Sequence, residues 1–535
     1  MITIEIKTST DHRNGEFSYD LKTLANSFYP DRDCEVVTRK DWKGREDYPI
    51  RIIINDKVVF EKELKNYDKE SVKREVYHFF ARRSHTVLPW GILTGIRPAK
   101  IAYRLLSEMQ SRQEAFEILM DDYLVYPEKA ELVLDVAVNE HHVMKSLDLR
   151  AGYSIYIGIP FCPSICEYCT FSSYPVARYS DRIGEYLSAL EKELSFIDTF
   201  RNAQRNKRVL HSIYIGGGTP TSLSPDDLRV LMDIVNEKLP VDEAIEYTVE
   251  AGRPDSITME KLMILKEAGV TRVSINTQSM LQDTLKRLGR THTVEQVRDS
   301  FAMAREAGFK NINMDIIVGL PEEDEVDFYN TLNQVYDLGP DSITVHTLVI
   351  KRASRMRREQ METGGDIRPE ETLIPVLQRG SYDYLKTHGY EPYYMYRQKN
   401  TLGSTRNTNQ ENVAYARLGK ECLYNIFMME ELEDVVAFGA GASTKHVIHE
   451  PTMHQGHSID SKERSVFGTH RMGDQVRIER VENVKSVEDY ISRIDEMIER
   501  KKRMLDEEIV RSEKRSGAKK KYIIGDDSKE TKKWH

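Results

Sequence analysis

The sequence predicts an α/β fold: a partial, TIM-like (β/α)6 barrel of parallel strands, preceded by a small α/β domain and followed by a mostly helical C-terminal domain. Two observations carry the barrel. From about residue 152 onward, short β-branched or apolar runs recur between long amphipathic stretches. Polar residues then fall at the ends of those runs, and in parallel barrels the C-terminal strand ends carry the chemistry.

The elements follow in chain order. Residues 1–148 hold two strand-like runs, "MITIEIK" and "IRIIINDKVVFEKEL", and helical patterns such as "KESVKREVYHFFARR" and "PEKAELVLDVAVNEHHVMKSL". Residues 149–350 form the barrel core, with strands expected at "SIYIGIP", "HSIYIGGG", "IEYTVEAG", "RVSINTQ", "NINMDIIVGLP" and "DSITVHTLVI". Helices are expected to begin near Tyr179, Ser224, Thr258, Leu281 and Glu325, with Ser224 as an N-cap before an acidic first turn. Residues 351–500 form the C-terminal domain, which includes a tyrosine-rich "YEPYYMYRQKN" and a loop at 445–474 rich in His, Met, Gly and Ser. Residues 501–535 read as a charged, solvated tail.

Composition limits the partners. A chain of 535 residues with net charge −9 and pI near 6.0 has no basic excess to suggest nucleic acid, so anion recognition must be local. No apolar run approaches the ~18 residues of a membrane span, and "MITIEIKTST" lacks the basic and apolar regions of a signal peptide. A cytoplasmic protein is expected. Five cysteines, three of them within eight positions, point to a metal-binding or catalytic cluster in a reducing compartment. Cys34 and Cys422 stand apart and read as unreactive thiols.

The three clustered thiols are Cys162, Cys166 and Cys169, spaced C-x3-C-x2-C after the first barrel strand. Three thiolates can hold three corners of a [4Fe-4S] cubane and leave one iron without a protein ligand. A structural zinc site would call for a fourth Cys or His at close spacing. The second motif, "YIGGGTPT", places glycines directly after a strand, where backbone N–H groups can form a nest or present a hydrogen-bonding edge for an amino group. Glu250, Gln278, Arg290 and Asp315 then recur at or after later strand ends, and polar groups are costly to bury there unless paired.

The cysteine loop resembles that of the radical S-adenosylmethionine enzymes. Together "YIGIPFCPSICEYCTF", "GGGTPT", "VEAGRP", "RVSINTQSM", "LGRTHT" and "DIIVGLP" resemble the oxygen-independent coproporphyrinogen III oxidase family; "PWGILTG", "YRQKN" and the N-terminal domain point to its HemZ-type branch. The resemblance implies a [4Fe-4S] cluster on Cys162, Cys166 and Cys169, whose open iron chelates S-adenosylmethionine. It implies that Tyr156 and Tyr168 flank that cofactor, that Gly217, Gly218 and Thr219 meet its methionine part, that Glu250, Gln278, Arg290 and Asp315 contact its polar groups, and that Val349 packs near adenine. It further implies a tetrapyrrole substrate, a reducing donor such as flavodoxin or ferredoxin, and oxidative decarboxylation of coproporphyrinogen III propionates to vinyls. The radical forms on S-adenosylmethionine, so no protein side chain is singled out as the catalytic group. A four-carboxylate substrate calls for cationic forks, with Lys351, Arg352, Arg355 and Arg397 as candidates, and Tyr393, Tyr394 and Tyr396 could cover a macrocycle.

Two positions depart from the oxidases. Phe171 stands where they carry a fourth cysteine, and Gly158 where they carry histidine. Phenylalanine there resembles the HemW-type haem chaperones and anaerobic haem-degrading relatives, so chaperone and ring-modifying readings stay open. The loop at 445–474 holds His446, His449, His454, His457 and His470 with Met453 and Met472, a possible haem or metal ligand set, or an incidental surface loop.

Overall fold

The computed structural model describes residues 1–7, 17–30, 32–39, 48–64, 68–109, 111–169, 171–203, 208–348, 373–398, 411–450 and 475–507. An N-terminal four-stranded sheet contains β1 (Ile2–Lys7), β2 (Cys34–Arg39), β3 (Tyr48–Ile54) and β4 (Lys57–Leu64), in the order β2-β1-β3-β4. β1 runs parallel to β2 and antiparallel to β3. The run "IRIIINDKVVFEKEL", expected as one strand, is a hairpin. Asn55 and Asp56 both take positive φ (49° and 62°), the conformation that reverses a two-residue β-turn. Helices Phe17–Phe28 and Lys69–Ser84 cover one face, and Ile2, Ile4, Leu21, Leu24, Ile52, Val76 and Phe80 form the core between them. Pro98–Glu108, Arg112–Asp121 and Pro127–Met144 are further helices leading to the barrel.

β5 (Gly152–Ile159) opens the main sheet, and two-residue β6 (Phe161–Cys162) and β7 (Tyr174–Pro175) bracket the cysteine loop. β8 (Val209–Gly217), β9 (Glu246–Gly252), β10 (Arg272–Gln278), β11 (Ile312–Val318) and β12 (Ser342–Thr347) follow, each parallel to the one before it in the sheet. These are the six expected barrel strands. Ile155, Ile157, Ile213, Ile215, Val249, Val273 and Ile275 are buried in one continuous core with helix residues such as Leu187, Leu231 and Leu262. The Ser224 cap is present: its hydroxyl accepts from the Asp227 N–H at 3.1 Å. One helix was expected after Leu281, but there are two, Gln282–Arg287 and Val294–Glu306. The second starts at a capping box in which Thr293 and Gln296 bond reciprocally, a signal present in "THTVEQ".

Among the described residues, the C-terminal part, expected to be mostly helical, mixes helices with strands. β13 (Glu391–Arg397) and β14 (Glu411–Ala416) add antiparallel strands beyond β12, while β15 (Asp434–Phe438), β16 (Ser443–Glu450) and β17 (Gln475–Glu482) extend the sheet beyond β5. The result is one eleven-stranded sheet, ordered β13-β14-β12-β11-β10-β9-β8-β5-β15-β16-β17. Backbone pairing explains the difference. A partial barrel leaves two strand edges, and these segments satisfy their N–H and C=O groups on them. His446 and His449 therefore lie in β16, and His446 is buried with Nδ1 2.8 Å from Asp434. His454, His457, His470, Met453 and Met472 lie outside the described residues.

Candidate functional site

β5 and β8 carry the same pentapeptide, "SIYIG", and pair in register: Ser154 with Ser212, Tyr156 with Tyr214, and Gly158 with Gly216. Strand alternation turns the isoleucines to the helices and the Ser, Tyr and Gly positions to the opposite face. Tyr156 and Tyr214 lie nearly parallel with centroids 6.3 Å apart. Tyr424 stacks 4.5 Å from Tyr214 and 5.9 Å from Tyr156. It stands at the start of helix Leu423–Glu430, where the Glu246 carboxylate accepts the N–H groups of Leu423 and Tyr424. The repeat offered a signal for Tyr214. Nothing local marks Tyr424, which arrives from 210 residues further along.

Polar side chains continue along this face. Arg272 donates to Ser342 (2.9 Å), and Ser342 and Thr344 both donate to the Asn313 carbonyl (3.0 Å each). The Asn313 amide donates to Asp315 at 2.7 Å. Burial pushes the Asp315 carboxyl up, but bonds from His346, Asn313 and Thr344 outweigh it and hold the group below its ordinary range. His346, whose Nε2 is 3.7 Å from Asp315, was missed in the sequence, although "ITVHT" places it two residues after Thr344 and thus on the same face. The Tyr214 phenol donates to Glu250 at 2.6 Å. Burial pushes the Glu250 carboxyl up to about 7; the Tyr214 bond offsets part of this, while nearby Asp315 adds to it.

The three cysteines converge above these strand ends. Cys162 Sγ is 3.6 Å from the Thr219 hydroxyl, Arg253 Nη1 donates to Cys166 Sγ at 3.8 Å, and Cys169 Sγ is 3.8 Å from the Ser173 hydroxyl. Burial pushes the Cys162 thiol up to about 11; Thr219 pulls against this, and the adjacent Cys166 and Cys169 thiols add to it. Among the described residues no three His, Cys, Asp or Glu side chains are gathered as ligands of a single ion would be. A cubane asks for a looser arrangement, because each thiolate meets a different iron. Cys34 and Cys422 are buried away from this loop, as expected of inert thiols.

The glycine turn packs tightly but forms no open nest. The N–H groups of Gly218 and Thr219 are spent on Ile159 O and Phe161 O, both at 2.7 Å. A Cβ on Gly218 would meet those same oxygens at 2.8 and 2.5 Å, so glycine is what lets the turn lie against the cysteine loop. Gly217 has φ +105°, and a Cβ there would lie 3.2 Å from the Tyr156 hydroxyl. An amino-group partner on the turn's carbonyl edge remains compatible with this arrangement; an anion nest on these two amides does not.

Gln278 takes φ +73° and is buried, with its side-chain oxygen unpaired. Arg290 donates to the Tyr168 hydroxyl (3.1 Å) and to Asn276 O (2.6 Å). Tyr168 packs against Leu288, Ile317, Leu320 and Leu348, an apolar patch separate from the main core. The mouth thus combines an aromatic and apolar patch, a buried unpaired amide oxygen, two carboxylates and three thiols. That donor set fits a cubane together with a ligand that has a flat ring and polar sugar and amino-acid parts.

Arg397 does not serve as a cationic fork. Its guanidinium is buried against the Trp90 ring, bonded to Leu93 O and, at 3.4 Å, to Gly95 O. Tyr393 is buried in the core, and the Tyr396 hydroxyl bonds Asn412. Val349, Lys351, Arg352 and Arg355 lie outside the described residues.

The radical SAM superfamily profile matches residues 156–335. The chain is 39% identical over 389 residues to the oxygen-independent coproporphyrinogen-III oxidase-like protein HemZ of Bacillus subtilis (strain 168), covering 72% of this chain and 76% of that protein. It belongs to the HemZ-like family of radical SAM enzymes. The chain is also 34% identical over 332 residues to the haem chaperone HemW of the same strain, covering 61% and 81%. A solved structure of the Escherichia coli coproporphyrinogen III oxidase HemN is similar at 20% identity, covering 68% and 73%, with TM-score 0.47. Radical SAM enzymes use a [4Fe-4S] cluster and S-adenosylmethionine, so this HemZ-like chain has both as its cofactors. No helix among the described residues is long and apolar enough to cross a membrane.

Proposed function

We propose that this HemZ-like protein oxidatively decarboxylates propionate side chains of coproporphyrinogen III to vinyl groups. The observation that carries the reading is its 39% identity to HemZ across 76% of that protein. When bound, the cluster and S-adenosylmethionine together supply a carbon radical able to abstract hydrogen. The propionate side chain, having lost that hydrogen atom, releases CO2 and one electron to an acceptor, leaving the vinyl group.

The chain's own residues hold and orient. Cys162, Cys166 and Cys169 are the cluster ligands in this reading. Tyr168 and the Leu288, Ile317, Leu320 and Leu348 patch take the adenine, with Val349 following on the chain. Gln278 offers its unpaired oxygen to a ribose hydroxyl, with Glu250 and Asp315 as further acceptors and Arg290 as the donor that fixes Tyr168. Tyr156 and the turn at Gly217, Gly218 and Thr219 face the methionine part. The apolar and aromatic lining excludes water from the radical. Lys351, Arg352 and Arg355 are proposed partners for the substrate carboxylates, and flavodoxin or ferredoxin the class of electron donor.

A second reading, haem binding and transfer, is favoured by Phe171 at the oxidases' fourth-cysteine position and by the likeness to HemW. Phe171 is 74% exposed. Anaerobic reconstitution followed by separate incubation with S-adenosylmethionine and coproporphyrinogen III, or with haem, decides between them by product mass. Loss of CO2 from coproporphyrinogen supports the first reading. Stable haem binding with an unchanged tetrapyrrole overturns it in favour of the second.

A further inference from the structure

Arg253 follows Gly252, whose φ of +72° turns the chain back beneath the cysteine loop at the end of β9. The side chain is buried, the residue being 3% exposed. Its Nε and Nη2 grip the Asp255 carboxylate at 3.0 and 2.6 Å, and Nη2 also reaches the Thr291 hydroxyl at 2.8 Å. On the other side Nη1 donates to the Ser164 hydroxyl (2.8 Å), Ser164 O (3.4 Å) and Cys166 Sγ (3.8 Å). The other two cysteine sulfurs have neutral hydroxyl neighbours, Thr219 and Ser173. Among the described residues, Arg253 thus brings the only cationic hydrogen bond to a sulfur of the trio.

We infer that Arg253 is a positioning residue that sets the reduction potential of the cluster through its charge and hydrogen bond on Cys166. The inference rests on the assignment of the three cysteines as cluster ligands. The reduced cluster carries one more negative charge than the oxidised one, so a fixed positive donor at a ligand sulfur favours the reduced form. Asp255 moderates the effect by neutralising part of that charge, and its grip stops the guanidinium from turning away. Thr291 and Ser164 fix the remaining N–H groups, so one side chain both braces the loop and places the charge.

The test is a redox titration of the reconstituted protein, followed by electron paramagnetic resonance in the absence of substrate. R253Q should move the midpoint to a more negative potential, lowering the ratio of reduced to oxidised cluster several-fold at a fixed potential; tenfold corresponds to about 59 mV for one electron. R253K should recover part of the shift, and D255N should move the midpoint the opposite way. An unchanged midpoint in R253Q with full iron content overturns the inference. If R253Q holds no cluster, D255N decides alone: a more positive midpoint supports it, and an equal or more negative one overturns it. Failure of the wild type to take up iron and sulfide would instead defeat the cluster assignment.

Discussion

The phenol of Tyr214 donates a 2.6 Å hydrogen bond to the Glu250 carboxylate, joining the face of β8 to that of β9. Burial holds that carboxyl at about 7, above its ordinary value. A raised folded-state value means that the folded chain binds the proton more tightly than the unfolded chain. The stability contribution is therefore fully present below about pH 4.5 and is lost as pH rises through about 7. E250Q should remove this loss, on the order of 1–3 kcal/mol between pH 5 and 8. Urea unfolding of the cofactor-free protein at the two pH values measures it, and an unchanged difference in E250Q would refute the assignment.

The cysteine loop gives a sharper prediction. C166A removes one of the three proposed thiol ligands and also the sulfur that Arg253 contacts. The variant, reconstituted anaerobically, should hold less than a tenth of the wild-type iron and sulfide. A cluster absorption equal to wild type would contradict the ligand set.

Gly218 tests the packing of the glycine turn. An alanine there meets Phe161 O and Ile159 O, both main-chain atoms that cannot rotate away. G218A should cost about 1–3 kcal/mol of stability and weaken S-adenosylmethionine binding at least tenfold, because the turn must lift from the loop. Calorimetric titration measures the binding, and retained affinity would count against the placement.

Residues 501–507, expected to begin a charged, solvated tail, are instead helical and packed on the barrel: Lys501 and Glu193 form a fully buried ion pair, both side chains 0% exposed. Glu193 also accepts from Tyr490, Asn483 and the Gly439 N–H, tying the helical end of the described chain to the barrel. K501A should cost about 3–5 kcal/mol by leaving the carboxylate buried without its cation. A loss below 1 kcal/mol in denaturant unfolding would show that the pair is not what holds the segment.

Arg397 separates structure from substrate recognition. R397K keeps the charge but loses the planar reach to Leu93 O and Gly95 O and the cover over Trp90. Its melting temperature should fall by several degrees while the KM for the proposed tetrapyrrole substrate stays within twofold. The reverse pattern would restore Arg397 as a substrate contact.

By itself the sequence determined the six parallel strands, the cysteine spacing and the superfamily, because each is local. Periodicity marks a strand, three thiols in eight residues mark a candidate ligand loop, and Ser224 marks a helix start. Tertiary structure decided where distant residues meet. The cationic fork expected at Arg397 became a buried brace because β13 carries it under the loop at residues 93–95. Segments after residue 390 with no strand assigned, including the loop-like stretch from 445, became strands because the open edges beside β5 and β12 offered backbone partners. Tyr424 joined Tyr156 and Tyr214 only through the helix that Glu246 caps. Arg253 reached Cys166 only because Gly252 reverses the chain at the end of β9. Hydrogen-bond satisfaction and burial act between positions tens to hundreds of residues apart, and no local pattern encodes that distance.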